Sequence, residues 1–178
     1  MFHIYDIQKK SEGISFEKVL DLQIELQERN KEILALSPIQ VKGHVRFEAG
    51  FFFLDYQMDY TITLASSRSM EPVELVESLT IQELFVASET ALKEQELVDE
   101  EMVLVVEGDY INLEESVADN ILLHIPNKVL TADEIAGKDL PSGKDWVVMT
   151  EEDFRQELQE KKEATSPFAQ LQGLFDQE

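Results

Sequence analysis

Apolar and polar residues alternate most strictly over residues 39–48. Ile39, Val41, Gly43, Val45 and Phe47 fall on one side, and Gln40, Lys42, His44, Arg46 and Glu48 on the other. A period of two predicts a half-buried strand. Ala49-Gly50 permits a turn, and 51–64 reads as the return strand, with Tyr60, Ile62 and Leu64 alternating at its end. Glu71-Pro72 opens a third strand over 73–86. The links are too short for crossover helices, so these runs predict an antiparallel meander.

The flanks are less regular. Residues 1–7 alternate weakly, with Ile7 out of step, and suggest a short strand. From Phe16 the pattern fits a strand to about Leu22 and then a helix over 25–36, which ends before Ser37-Pro38 because the residue before a proline disfavours helix. Residues 102–106 form a β-branched, apolar run that predicts a buried strand. Asn112, with Glu115 three residues on, has the spacing of a capping box. Leu113, Val117, Ile121, Leu122 and Ile125 then line one helical face up to Pro126. Residues 88–101 read as an acidic loop and 131–145 as a second loop. Trp146 is expected at the edge of the core, with a docking surface in the loop around it as the alternative. Thr150, with Asp153, caps a charged helix running through Lys162. Ser166-Pro167 opens a last short helix with Phe168, Leu171, Leu174 and Phe175 on its apolar side. Strands early and helices late predict an α+β fold: an antiparallel, barrel-like meander followed by C-terminal helices. The expected organisation is one domain over 1–178, with 150–178 as a helical extension.

Composition narrows the function. The 178 residues are 43% hydrophobic, enough for a real core. No apolar run approaches the roughly 18 residues that span a bilayer, and the N-terminus lacks the apolar segment of a signal peptide, so a cytoplasmic location without membrane contact is expected. With no cysteine there is no disulfide, thiolate ligand or thiol nucleophile. The net charge is −22, unevenly spread. Residues 71–119 hold 15 acids against one base, Lys93, or −14, whereas residues 1–70 hold ten acids and eight bases, or −2. A field like the first repels phosphate and attracts basic partners, besides keeping the chain soluble.

Motifs for chemistry are missing. Gly137 to Lys144 imitates a phosphate loop but has five residues between its glycines instead of four, and Asp145 stands where a hydroxyl must hold magnesium, so no nucleotide is expected. His3, His44 and His124 are scattered, and paired acids such as Glu100-Glu101 point to different sides, so neither a metal site, a cofactor nor a catalytic set is expected. Two features can carry binding. Lys42, His44 and Arg46 share a strand face suited to phosphate contacts, or to an ordinary solvent face beside Gln40 and Glu48. Glu94, Glu96, Asp99, Glu100 and Glu101, within the acidic stretch, suit a basic protein.

Several segments resemble the YceD family, which is linked to accumulation of large-subunit ribosomal RNA. They are Ser37-Pro-Ile-Gln-Val-Lys-Gly43, then Ser66-Ser67-Arg68-Ser69-Met70 at the family's C-x-R-C-L element, then Glu83-Leu-Phe85 at E-x-F. An acidic gap, Ile111-Asn112-Leu113, a helix and Pro126 follow in family order. Ser166-Pro167-Phe168 resembles the D-P-R tail, and residues 141–146 match Gram-positive members. Both cysteines of C-x-R-C are serine here, so a zinc role is absent. Arg68 remains, as a phosphate contact or as a turn arginine paired with an acid. The resemblance implies a non-enzymatic factor in ribosome biogenesis that supports synthesis or accumulation of 23S rRNA. It would act by holding a basic large-subunit ribosomal protein or assembly factor, or by direct rRNA contact through Lys42, His44, Arg46 and Arg68; an rRNA-processing nuclease is the third alternative.

Overall fold

The computed structural model describes residues 1–88, 103–137, 140, 142–144 and 146–165. In chain order the elements are β1 (Phe2–His3), α1 (Ile4–Lys9), β2 (Ile14–Leu20), α2 (Gln23–Arg29), β3 (Ile33–Leu36), β4 (Ile39–Glu48), β5 (Phe51–Ala65), β6 (Pro72–Val86), β7 (Val103–Val105), β8 (Tyr110–Ile111), α3 (Leu113–His124), α4 (Ala132–Ile135), β9 (Ser142–Gly143), β10 (Trp146–Val147) and α5 (Glu151–Thr165). The chain forms two units, Met1–Val129 and Leu130–Glu178.

The first unit is built on the alternating runs. The main sheet has the order β2-β4-β5-β6-β7, with β3 beside β5 beyond the end of β4. Pairing is antiparallel except between β6 and β7. A parallel neighbour needs a connection of about a dozen residues or more, and 87–102 supplies it. The fold is α+β as expected, but the sheet stays open: β2 pairs β4 and β7 pairs β6, and the two do not meet to close a barrel. One face packs the core, in which Val41, Val45, Phe52, Leu54, Met58 and Ile62 lie under Leu113, Val117, Ala118 and Ile121 of α3. Gly43 sits on this face opposite Phe16. A Cβ there would come within 2.4 Å of the Asp55 carbonyl and 2.8 Å of the Phe16 ring, so only glycine lets the ring lie against the backbone.

The expected helix over 25–36 is corrected. α2 ends at Arg29, and Ile33–Leu36 form a bulged strand on β5. Asn30 Oδ1 accepts the Glu32 amide at 2.9 Å, an Asx turn that stops the helix. Gln27 Nε2 then donates to the Leu34 carbonyl at 2.8 Å, and Gln23 Oε1 accepts the Leu36 amide at 3.2 Å, tying helix to strand. The N-terminal strand shrinks to two residues because 4–9 coil into α1, which puts Ile7 out of step yet fully buried. β7 is an edge strand rather than a buried one, with Leu104 49% and Val105 38% exposed. Asn112 makes no capping bond to the α3 backbone; its Nδ2 donates to Glu115 Oε2 at 3.3 Å instead.

In the second unit, 131–137 is not plain loop. Thr131 and Glu134 form a reciprocal capping box on α4, the T-x-x-E signal of Thr131-Ala-Asp-Glu134. β9 and β10 make a two-residue hairpin. Thr150 caps α5, its Oγ1 accepting the Asp153 amide at 3.1 Å. The side chain of Trp146, the acidic loop through Met102 and the expected last helix after Ser166 lie outside the described residues.

Candidate partner-binding site

The polar face of the sheet gathers three of the four candidate cations, and each stands among acids. Lys42 lies directly across from Glu17 on β2 and Gln57 on β5. His44 Nδ1 is 3.0 Å from Ser15 Oγ, and the residue lies across from Asp55. Arg46 reaches Asp55 at 3.8 Å and Glu48 at 3.9 Å, and its guanidinium stacks 4.1 Å from the centroid of Phe53. With Glu17, Glu48, Asp55 and Asp59 interleaved, the β2–β4–β5 part of this face carries two fixed positive charges against four negative ones. Charge of that kind is locally balanced, and it offers phosphate little net attraction.

Arg68 is elsewhere. It lies in the turn between β5 and β6, past Ala65, whereas Lys42 and Arg46 sit beside Gln57 and Phe53. At about 3.3 Å per strand residue the separation is roughly 25–40 Å. The turn is organised by Ser66, which is fully buried. Its Oγ accepts the amides of Arg68 at 3.1 Å and Ser69 at 3.3 Å, its carbonyl accepts the Met70 amide, and its own amide donates to the Glu71 carbonyl at 2.8 Å. Met70 takes φ +65, a left-handed conformation that completes the turn. Ser67 exchanges hydrogen bonds with Val129, amide to carbonyl at 2.8 Å and Oγ from amide at 3.0 Å.

The described acids of the 71–119 stretch converge differently. A cavity of about 420 Å³ opens between α3, the end of β6, and β7–β8. Leu104, Val105 and Tyr110 supply apolar walls, and Glu83, Glu107, Glu115 and Asp119 supply carboxylates. Among the described residues no lysine or arginine lines it. One wall is fixed by a polar network that sequence reasoning missed. Ser116 Oγ donates to Glu83 Oε2 at 2.7 Å and lies 2.8 Å from the Tyr56 hydroxyl, and Asn120 Nδ2 donates to Glu83 Oε1 at 2.6 Å. Burial raises the Tyr56 phenol well above its ordinary range, and the charge of Glu83 adds to that. The network therefore holds Tyr56 as a neutral hydroxyl and pins α3 to β5 and β6. Only Glu83, in its E-x-F setting, was marked in the sequence; the partners come from α3, more than thirty residues on. Asp119 is held by Arg29 of α2, while Glu107 and Glu115 remain exposed. The expected contacts Glu94, Glu96, Asp99, Glu100 and Glu101 lie outside the described residues. Among the described residues no group of three or more histidines and acids is placed to hold a metal ion, and no helix is long and apolar enough to cross a membrane.

Comparison with known proteins bears out the family resemblance over the segment that holds the motifs from Ser66 onward. The family model for the large ribosomal RNA subunit accumulation protein YceD matches residues 54–175, more than half of the chain. The uncharacterized protein YlbN of Bacillus subtilis is 28% identical over 157 residues, which cover 87% of this chain and 88% of the relative. No solved structure matches. The match takes in the long β5–β6 hairpin, the Ser66–Met70 turn and α3, and on that ground the chain belongs to the YceD family of large ribosomal RNA subunit accumulation proteins.

Proposed function

We propose that the chain supports accumulation of large-subunit rRNA by binding a basic protein, either a ribosomal protein or an assembly factor, and that it does so without catalysis. The observation that carries this reading is the contrast between the two charged surfaces. Cations of the sheet face sit among carboxylates, whereas Glu107 and Glu115 stand exposed at the α3–β7 cavity beside apolar walls and, apart from Arg29 on Asp119, the described residues bring no lysine or arginine to its carboxylates. A groove with apolar walls and an acidic rim suits a basic segment with apolar anchors. Such a partner would be shielded from nonspecific contacts until rRNA takes it over.

The test is affinity purification of the full chain from cells at low and moderate salt, with and without RNase. Basic large-subunit proteins should stay bound after RNase, and the double variant Glu107→Gln, Glu115→Gln should release most of them. Recovery of large-subunit rRNA that collapses with RNase, leaving no protein behind, would sink the proposal. It would favour direct contact through Lys42, Arg46 and Arg68, whose triple alanine variant should then bind rRNA more weakly and with a flatter salt dependence. Phosphodiester turnover with and without magnesium tests the nuclease alternative.

A further inference from the structure

β6 runs for fifteen residues, yet among the described residues its outer side is paired only at Leu84–Val86, by β7. The direction of its remaining backbone groups can be worked out. Thr61 of β5 turns its amide and carbonyl away from β6, the amide to Ser37 Oγ at 2.9 Å and the carbonyl to the Ser37 amide at 2.9 Å. Thr61 faces Val76, so that pair exchanges no ladder bonds, and the amide and carbonyl of Val76 point outward. The same parity sends the Val86 carbonyl outward, where it accepts the Val106 amide at 2.9 Å, and the Glu71 carbonyl inward to Ser66. Residues 74, 76, 78, 80 and 82 therefore present five amides and five carbonyls along an edge roughly 27 Å long, at about 3.4 Å per residue. Among the described residues no backbone group pairs with them.

Side chains along this edge match the vacancy in the ladder. Val73, Leu75 and Leu79 pack against the core but stay only partly buried, and Val76 is 83% exposed on the other face. An added strand would cover both rows. Proteins blunt such edges with charge, and here Glu74 and Glu77 supply it, with Glu71 just outside; β6 holds no lysine or arginine. The charge is of one sign, so it excludes some strands and admits others. A second copy would bring its own acidic edge and a further −22. An extended basic segment would not.

The geometry points to β6 residues 74–82 as a docking edge that takes an extended, basic segment of a partner protein as an additional strand. This rests on the basic-partner reading above and names a second contact, separate from the acidic cavity. Main-chain bonds would supply affinity, and lysines or arginines opposite Glu74 and Glu77 would supply selectivity.

The experiment uses the full chain and a nine-residue peptide alternating lysine and valine, followed by fluorescence anisotropy and amide hydrogen exchange. Binding should slow exchange at the amides of 74, 76, 78, 80 and 82. N-methylating alternate peptide amides should cut affinity at least tenfold in one parity and leave the other unchanged. Val76→Pro removes an outward amide and no β5 bond, so it should weaken binding at least tenfold with the fold retained by circular dichroism; peptide N-methylation gives the same answer if that variant fails to fold. No binding, or equal loss in both methylation parities, overturns the proposal, the latter by showing charge attraction alone. Edge amides already protected in the free protein, and exposed on dilution, would assign the edge to a second copy and overturn it as well. Cellular partners that survive RNase and are lost in the Glu107, Glu115 variant but kept in Val76→Pro would leave the basic-partner reading standing and remove the edge from it.

Discussion

Ser66 stands where the family carries the first cysteine of its C-x-R-C element, and its hydroxyl does a job that needs no metal. It accepts two amides of its own turn while fully buried. Ser66→Ala would remove both of these bonds, and stability should fall by about 1–3 kcal/mol; a urea midpoint unchanged from that of the parent would contradict it. Tyr60 makes a second residue-level prediction. Burial, helped by the facing Glu77, pushes its phenol up to about 12. The folded state therefore holds the proton more tightly than the unfolded chain, whose tyrosines titrate near 10, approximately. The stability this gives is complete below that pH and is lost as pH rises through the folded value. Urea midpoints should hold steady up to about pH 9 and fall beyond about pH 10, and Tyr60→Phe should shallow the fall. At this scale the sequence showed that Gly43 and Tyr60 share the apolar side of their strands. It did not show that a ring lies over one and a carboxylate faces the other, because those neighbours come from other strands.

Strands with strict alternation were legible to within a residue, since a sheet with one buried face imposes its period directly on the chain. β4, β5 and β6 are of this kind. Residues 25–36 were not legible, because Ile33 and Leu36 are spaced as on a helix while a bulge lets a strand bury both. The decisive signals were polar: Asn30 turning the chain, and two glutamines of α2 reaching across to β3. Gln27→Ala should accordingly cost about 1 kcal/mol and, by hydrogen exchange, loosen β3 more than β4. Equal protection of the two strands in the variant would show that β3 holds by its β5 ladder alone. α4 was missed although Thr131 and Glu134 spell its cap, since one helical turn has no apolar period to notice.

For the whole molecule, charge sets the terms of association. The family and its link to large-subunit rRNA were readable from motifs spread along the chain; the cavity was not, because its walls come from β6, β7, β8 and α3 together. Attraction between a chain of net charge −22 and a basic partner is screened over about 8–10 Å at physiological salt. Raising salt from 50 to 500 mM (approximate working limits) should lower the association rate far more than it raises the dissociation rate. A partner whose association rate ignores salt would argue against the acidic surface as the first point of contact.

β1 gives the molecule a timetable. Phe2 and His3 pair with Ile111 and Tyr110, so this strand must wait until more than a hundred further residues have been made before its partner exists. The β4–β5–β6 hairpins close between near neighbours and can form early, while β1–β8 and the parallel β7 come late because their loops are long. Of those late elements, β7 and β8 form one rim of the acidic cavity. During translation, then, the hairpin sheet and its open edge would exist before the cavity does, and the binding surface would be finished only once the chain beyond residue 111 has left the ribosome that made it.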